Sequence, residues 1–481
     1  MATPKESPVK SFQPAHQQRW DLLHSFAQDL DSHSAHFELR WWGLLAMLSL
    51  GIAGIFALLL ALCRVPGVEE ILPWPIKFFE KGLVIHVILS FVVWFLTILG
   101  AFTTIVSYRL SDGCLKWEAL GPSAIKGSFL ATILLLVPAW LDRGEPSLNN
   151  YIPVIIDEIY YIGLIILALS ILLVVVRMIY NLLGCKGPFE PITLLVISAG
   201  FIYLLALSCF SIAFLIIVNN LSIIKMTPAI NEDLFWGGGH ILQFVNVGLL
   251  LSAWYFLVGL YLKKTWVRTD LVILVVGLLV SSSLIGPSLY FIYEPFSLAQ
   301  NKSFTYMQFL LIPSPIIFAI AGIFSIFLCR NSKILDWKSL TLHCFLLSIL
   351  VFLLGSFLGL FVDGTDTRTP AHYHGVIGGI NIAFMGLFYC FFLPLIERGI
   401  NKEKFAFASI WMYAVGQTFH SLGLFLAGGY GAPRKVAGSI QSIEDIGANF
   451  GLYLMGIGAI IAVIGGIIFI FLVTQALLKK I

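Results

Sequence analysis

Charge is what this chain has least of. Asp, Glu, Lys and Arg together make up 11% of its 481 residues, while 59% are hydrophobic and the mean hydropathy is +0.93. Soluble globular domains carry roughly 25% charged residues, so an ordinary water-soluble protein is excluded. Net charge is low as well: a formal +3 is too small to recruit nucleic acid or another polyanion. The seven cysteines are scattered without a CxxC or CxxCH pattern, which speaks against a disulfide framework and against a thioether-linked prosthetic group. No internal repeat is visible, and no polar stretch beyond Arg40 is long enough for an aqueous domain.

In their place stand apolar runs of about 20 residues, each sufficient to cross a hydrocarbon core of roughly 30 Å. Twelve can be marked, beginning near Trp42, Gly82, Ser123, Ile152, Ile192, Phe235, Leu271, Phe304, Leu340, His372, Phe405 and Gly447. The expected architecture is an all-α, polytopic bundle of twelve transmembrane helices over residues 41–481, preceded by a cytoplasmic tail over 1–40. That tail is charged, carries His16, His24, His33 and His36, and lacks the apolar stretch and cleavage site of a signal peptide. It reads as a solvated segment rather than a metal site. Most of the 29 Lys and Arg fall in the tail, in the loops around Arg109, Lys186, Lys263, Arg330 and Lys402, and at Lys479-Lys480. By the positive-inside rule both termini are then cytoplasmic.

Histidines carry the chemistry. His372-Tyr373-His374 opens the apolar run Gly375 to Leu395. Ionisable side chains inside a membrane helix are costly and mark working sites, and residues two apart project about 200° apart. Two different haems, one per helix face, could be held there; interfacial histidines at a loop end are the plainer alternative. Because spans alternate in direction, His86, His240, His372 and His374 all fall at a similar depth near the predicted outer face. His420 falls on the same side without an evident partner, and His343 on the opposite side. Imidazoles in such a plane suit haem or metal ligation. Proton relay and transport are the competing readings, although the paired broken spans of an inverted-repeat transporter are not evident.

Thr369-Pro-Ala-His-Tyr-His-Gly375 resembles the His-x-His motif of the haem-copper oxidase superfamily's catalytic subunit I, which includes cytochrome oxidases and nitric oxide reductases. The resemblance implies that His372 binds a high-spin haem and His374 a low-spin haem. His86, in Leu83-Val-Ile-His-Val87, is similar to the other low-spin ligand. Gly428-Gly-Tyr-Gly-Ala-Pro-Arg-Lys435 resembles the family's G-x-x-G-x-P-R-R loop, whose basic pair meets haem propionates. Arg434 and Lys435 take that role here, Lys435 keeping the charge without the planar fork. Asn150-Tyr-Ile-Pro-Val154, ahead of Asp157 and Glu158, is similar to members outside the mitochondrial type, and interfacial solvation suffices for the two carboxylates. His240, in Trp236-Gly-Gly-Gly-His240, resembles the first copper ligand.

The chain departs from the family around that copper. Where typical oxidases continue His-Pro-Glu-Val-Tyr, this chain reads His240-Ile-Leu-Gln-Phe244, without the cross-linked phenol and without the carboxylate of nitric oxide reductases. Leu271 to Phe296 contains no histidine, and Ser288-Leu289 stands where a His-His pair is expected. Tyr290, Tyr293 and Glu294 are the nearby oxygen donors. Proton-path residues are sparse: Asp112 stands alone in the loop after the second span, and Ser281 to Ser283 is the one polar stretch of the seventh. The resemblance therefore implies a haem-binding respiratory oxidoreductase with two non-covalent haems, doubtful copper, an electron donor such as a cytochrome c or copper-protein subunit, and additional oxidase subunits. A nitric oxide-handling relative, a copper-less haem protein for electron transfer or gas sensing, and a transporter remain the alternatives.

Overall fold

Within a bilayer no water is available to backbone amides, so apolar runs of this length have one solution, the α-helix, which pairs its amides internally. The computed structural model describes residues 21–30, 32–68, 76–111, 113–185, 189–220, 225–330, 336–362, 364–400 and 402–479. His16, Asp112, Lys186 and Lys480, named above, lie outside them.

A short helix α1 (Asp21–Asp29) precedes α2 (His33–Arg64), α3 (Ile76–Val87), a π turn (Ile88–Val93), α4 (Trp94–Leu110) and α5 (Leu120–Trp140). A hairpin of β1 (Glu145–Ser147) and antiparallel β2 (Val154–Ile156) leads into α6 (Glu158–Leu182), α7 (Pro191–Asn220) and α8 (Pro228–Leu262). Then come α9 (Thr269–Ile292), α10 (Leu298–Met307), α11 (Pro313–Leu328), α12 (Leu340–Leu358) and α13 (Arg368–Leu387). A second π turn (Phe388–Phe392), α14 (Leu393–Leu395), α15 (Glu403–Gly429) and α16 (Ile446–Leu478) complete the chain. Eleven spans among the described residues are long and apolar enough to cross a membrane, counting α3 to α4, α10 to α11 and α13 to α14 as one each. This is an integral, multi-pass membrane protein. The remaining long helix, α15, has 27 residues and falls outside that set. Its place in the bundle comes from packing between α13 and α16.

Three of the boundaries that differ from those read in the sequence have a visible local cause. The first span starts at His33, not Trp42, so the border drawn at residue 40 falls inside a helix. Ser32 caps it by accepting from Ala35 N at 3.1 Å. Charge is tolerated there because Glu38 meets a guanidinium. The fourth span starts at Glu158 rather than Ile152, since residues 154–156 are held in the hairpin and Asp157 provides the helix cap, accepting from Ile159 N at 2.9 Å. The eighth starts at Leu298 rather than Phe304 and is broken by a 3-10 turn at Gln308–Leu311 ahead of Pro313, whose ring cannot continue a helix interior.

Glu38 of α2 and Arg177 of α6 form a bidentate pair at 2.9 and 2.7 Å with no solvent exposure on either side chain. Tyr108 also donates to Glu38, and Thr104 bridges the pair to Trp42. Gly121 of α5 makes the room, because a Cβ there would collide with both ions. Removing one buried partner strands the other, which costs about 3–5 kcal/mol. Glu38→Ala is therefore expected to lower unfolding stability in detergent by that order, whereas Glu38→Leu combined with Arg177→Met recovers most of it. A single variant as stable as the parent would show that the pair contributes nothing.

Candidate functional site

α4, α8 and the π turn after α13 share an aromatic layer at the end of the bundle far from the histidines. Phe102 and Phe256 stack at 6.1 Å, Phe256 and Phe391 at 3.8 Å, and Phe26 of α1 closes the layer at 5.3 and 5.7 Å from the last two. Counting back along these helices, His86 lies 16 residues before Phe102, His240 16 before Phe256, and His374 and His372 17 and 19 before Phe391. At about 1.5 Å per residue all four imidazoles stand roughly 24–28 Å from the layer, at one depth. A second tie refines the match between the two helices that carry His86 and His374. Trp94 Nε1 donates to Asn381 Oδ1 at 2.9 Å, and Asn381 donates on to Tyr413 at 2.8 Å. His86 and His374 each sit about two turns above that tie. A π turn begins two residues after His86, and such turns are frequent at functional sites.

Two of these imidazoles present themselves as ligands, with the proton placed by a backbone carbonyl. His86 Nδ1 pairs with Ala53 O at 3.0 Å and His372 Nδ1 with Gly355 O at 2.8 Å. A carbonyl only accepts, so Nδ1 carries the hydrogen and Nε2 keeps its lone pair. This is the arrangement that orients metal-bound histidines. His372 reaches Gly355 because α12 and α13 touch backbone to backbone there, where a Cβ on Gly355 would collide with Val376 N. His374 makes no hydrogen bond among the described residues. Its ring lies 4.5 Å from that of His420, and His86, His420 and Arg64 are all within its electrostatic reach. His420 is thus brought to the site, although the sequence offered it no partner. His343 is at the far end, bonded to Trp337 O and Trp411.

His240 is enclosed differently. It is 1% exposed, its Nδ1 pairs with Trp236 O at 2.7 Å, and Tyr151, Trp236 and Phe304 surround its ring at 4.5, 4.6 and 5.7 Å. Gly237, Gly238 and Gly239 explain the crowding: a Cβ at each would collide with Tyr290, Phe210 and Tyr151 respectively. Tyr151 is admitted at a left-handed φ of 64°, a strained backbone for a non-glycine residue. Of the three oxygen donors considered from sequence, Tyr290 alone is buried, its hydroxyl against Gly237 one turn from His240; Tyr293 and Glu294 face outward. Ser288 bonds its own helix at Ile285 O. Among the described residues no group of three His, Cys, Asp or Glu is placed to hold a metal.

Cations line the same end. Arg434 donates to Asn150 Oδ1 at 2.6 Å, and Asn150 in turn donates to Glu232. Lys435 donates to Leu148 O. Burial, with Arg434 alongside, pushes the Lys435 ammonium down to about 8, partly offset by Glu232, so this loop gains by acquiring an anion. Asp157 is spoken for by its cap and by Arg143 at 3.0 Å. Sequence reasoning missed Arg64. Its guanidinium donates to Pro433 O at 2.7 Å, its Nε is buried without a partner, and among the described residues no carboxylate pairs with it. The only signal was a charge closing the first apolar run. A bound carboxylate would satisfy it, so these residues fit a planar, doubly acidic, imidazole-ligated group.

Known proteins agree with this architecture. A protein of Rickettsia prowazekii (strain Madrid E), itself uncharacterised, is 26% identical over 488 aligned residues, covering 90% of this chain and 94% of the relative. An uncharacterised protein of Aquifex aeolicus (strain VF5) is 30% identical over 376 residues, 76% of this chain and 87% of its own length. In fold, the chain matches a haem-copper terminal oxidase solved by cryo-EM as a dimer, with a TM-score of 0.79 at 15% identity over 93% of this chain and 85% of that one. The family model described as cytochrome c and quinol oxidase polypeptide I matches residues 39–468, and with that match across nearly the whole bundle the chain belongs to the haem-copper oxidase subunit I family.

Proposed function

We propose that this protein is a haem-binding respiratory oxidoreductase of the terminal oxidase type, with one low-spin haem between His86 and His374 and one high-spin haem on His372. The observation that carries the reading is the delivery of these three imidazoles to one depth by two tied helices, next to three cations that lack carboxylate partners among the described residues. Bound haems supply electron transfer and an iron able to take a gas ligand. The chain does the rest. His86 and His374 would hold one haem as an imidazole pair, which suits it to electron transfer, and His372 would hold the other. Arg64, Arg434 and Lys435 bind propionates. Tyr151, Trp236 and Phe304 keep water from His240, and the Tyr290 phenol stands against Gly237, one turn away. Both termini lie in the cytoplasm, and electrons arrive from a donor such as a cytochrome c or copper-protein subunit, with further oxidase subunits completing the complex.

Haem and metal analysis of the purified protein tests this. Two non-covalent haems per chain are expected; a haem-free preparation from haem-replete cells would sink the reading and favour transport. Copper should be substoichiometric. His240 stands without the two imidazoles that Ser288 and Leu289 displace, and losing ligands in direct contact should weaken binding by more than the roughly 10–100-fold typical of outer-shell changes. One tightly held copper per chain would instead mean that Tyr290 or another donor completes the site.

A further inference from the structure

Four of the five imidazoles at this end of the bundle commit Nδ1 to a backbone carbonyl. His86 uses Ala53, His240 uses Trp236, His372 uses Gly355, and His420 uses Met455 at 3.1 Å. His374 is the exception. What it has is the His420 ring, edge to face at 74° with centroids 4.5 Å apart. Because Met455 O can only accept, the neutral His420 ring carries its hydrogen on Nδ1 and a bare lone pair on Nε2. His420 is also tightly placed. α15 and α16 pack through glycines seven apart, Gly416 and Gly423 against Gly458 and Gly451, and a Cβ on Gly458 would collide with His420 N. Small residues at such positions let helix backbones approach closely in membranes.

We propose that His420 is a positioning residue for His374: a small turn of the His374 ring, which here meets His420 edge to face without a hydrogen bond, brings its Nδ1–H onto His420 Nε2. This rests on the haem reading above. The contact selects the tautomer in which His374 Nε2 faces iron, and makes that nitrogen a stronger donor than an unpartnered imidazole, as hydrogen-bonded partners do for metal-bound histidines. A stronger donor favours the oxidised iron, so losing the acceptor raises the reduction potential.

The test compares His420→Phe, which keeps a ring but no acceptor, with His420→Gln, which restores an acceptor of similar reach. The readouts are the midpoint potential of the low-spin haem by spectroelectrochemical titration and its electron paramagnetic resonance. The expected result is a low-spin haem retained in both variants. In His420→Phe its one-electron reduction equilibrium shifts about tenfold toward the reduced form, which is about 59 mV, and most of that shift is reversed in His420→Gln. If His420→Phe loses the haem, His420→Leu takes its place in the comparison with the same expected split. An unchanged potential and resonance in the acceptor-less variant overturns the inference, as does an equal shift in His420→Gln. A parent protein without any low-spin haem overturns the haem reading itself, and the inference with it.

Discussion

His86→Ala is expected to remove essentially the whole low-spin spectrum of the proposed haem pair and to leave the high-spin signal in place. On the proposed ligation the effect is large because an axial bond is lost, not a supporting contact. His86 is the only imidazole on α3, and its Nε2 is released for ligation by the Nδ1 bond to Ala53. His374 alone would leave that iron five-coordinate. His372 and the high-spin haem depend on α12 and α13, so their signal stays. Optical and electron paramagnetic resonance spectra of the purified variant decide it. A surviving bis-imidazole signal would mean that another ring ligates, and His420, 4.5 Å from His374, is the first to examine.

His372→Ala has the complementary outcome: carbon monoxide and nitric oxide no longer bind to the reduced protein, while the low-spin haem remains. On the proposed ligation, gas binding would depend on the His372 imidazole and on nothing at His240, so it should be intact in the parent even without copper. Oxygen reduction should nevertheless be slow beside an intact relative. Phe244 carries no phenol, and Ser288 and Leu289 supply no imidazole, which removes both the expected hydrogen source and two expected copper ligands. Stopped-flow gas binding and oxygen consumption with an electron donor measure the two claims separately. Fast four-electron reduction of oxygen would overturn the second and direct attention to Tyr290, the one buried hydroxyl beside Gly237.

Much of this was legible along the chain because it is counted along the chain. Span length follows from hydropathy, and depth follows from how far a residue lies into its span and which way the span runs. His86, His240, His372 and His374 could therefore be assigned a common level from sequence alone. The motifs at 369–375 and 428–435 pointed to the family on their own residues, and the absent histidines between Leu271 and Phe296 are equally plain to read.

Rotation about each helix axis was not legible. In nearly uniform apolar helices the hydrophobic pattern does not say which face looks inward, since lipid and helix neighbours are alike in polarity. Tyr290 could not be separated from Tyr293 and Glu294 until α9 was packed on α8. The same holds for Glu38, read as part of a solvated tail yet buried against Arg177, 139 residues away, and for Arg64, not singled out in the sequence yet held within reach of His374. His420 met His374 only because glycines on α15 and α16 bring two backbones together. Sequence alone determined that the chain is a bundle of apolar helices and how deep along them the imidazoles lie, because those are local properties of a chain in a bilayer; the tertiary structure decided which side chains face one another, because that is set by contacts between residues far apart in sequence.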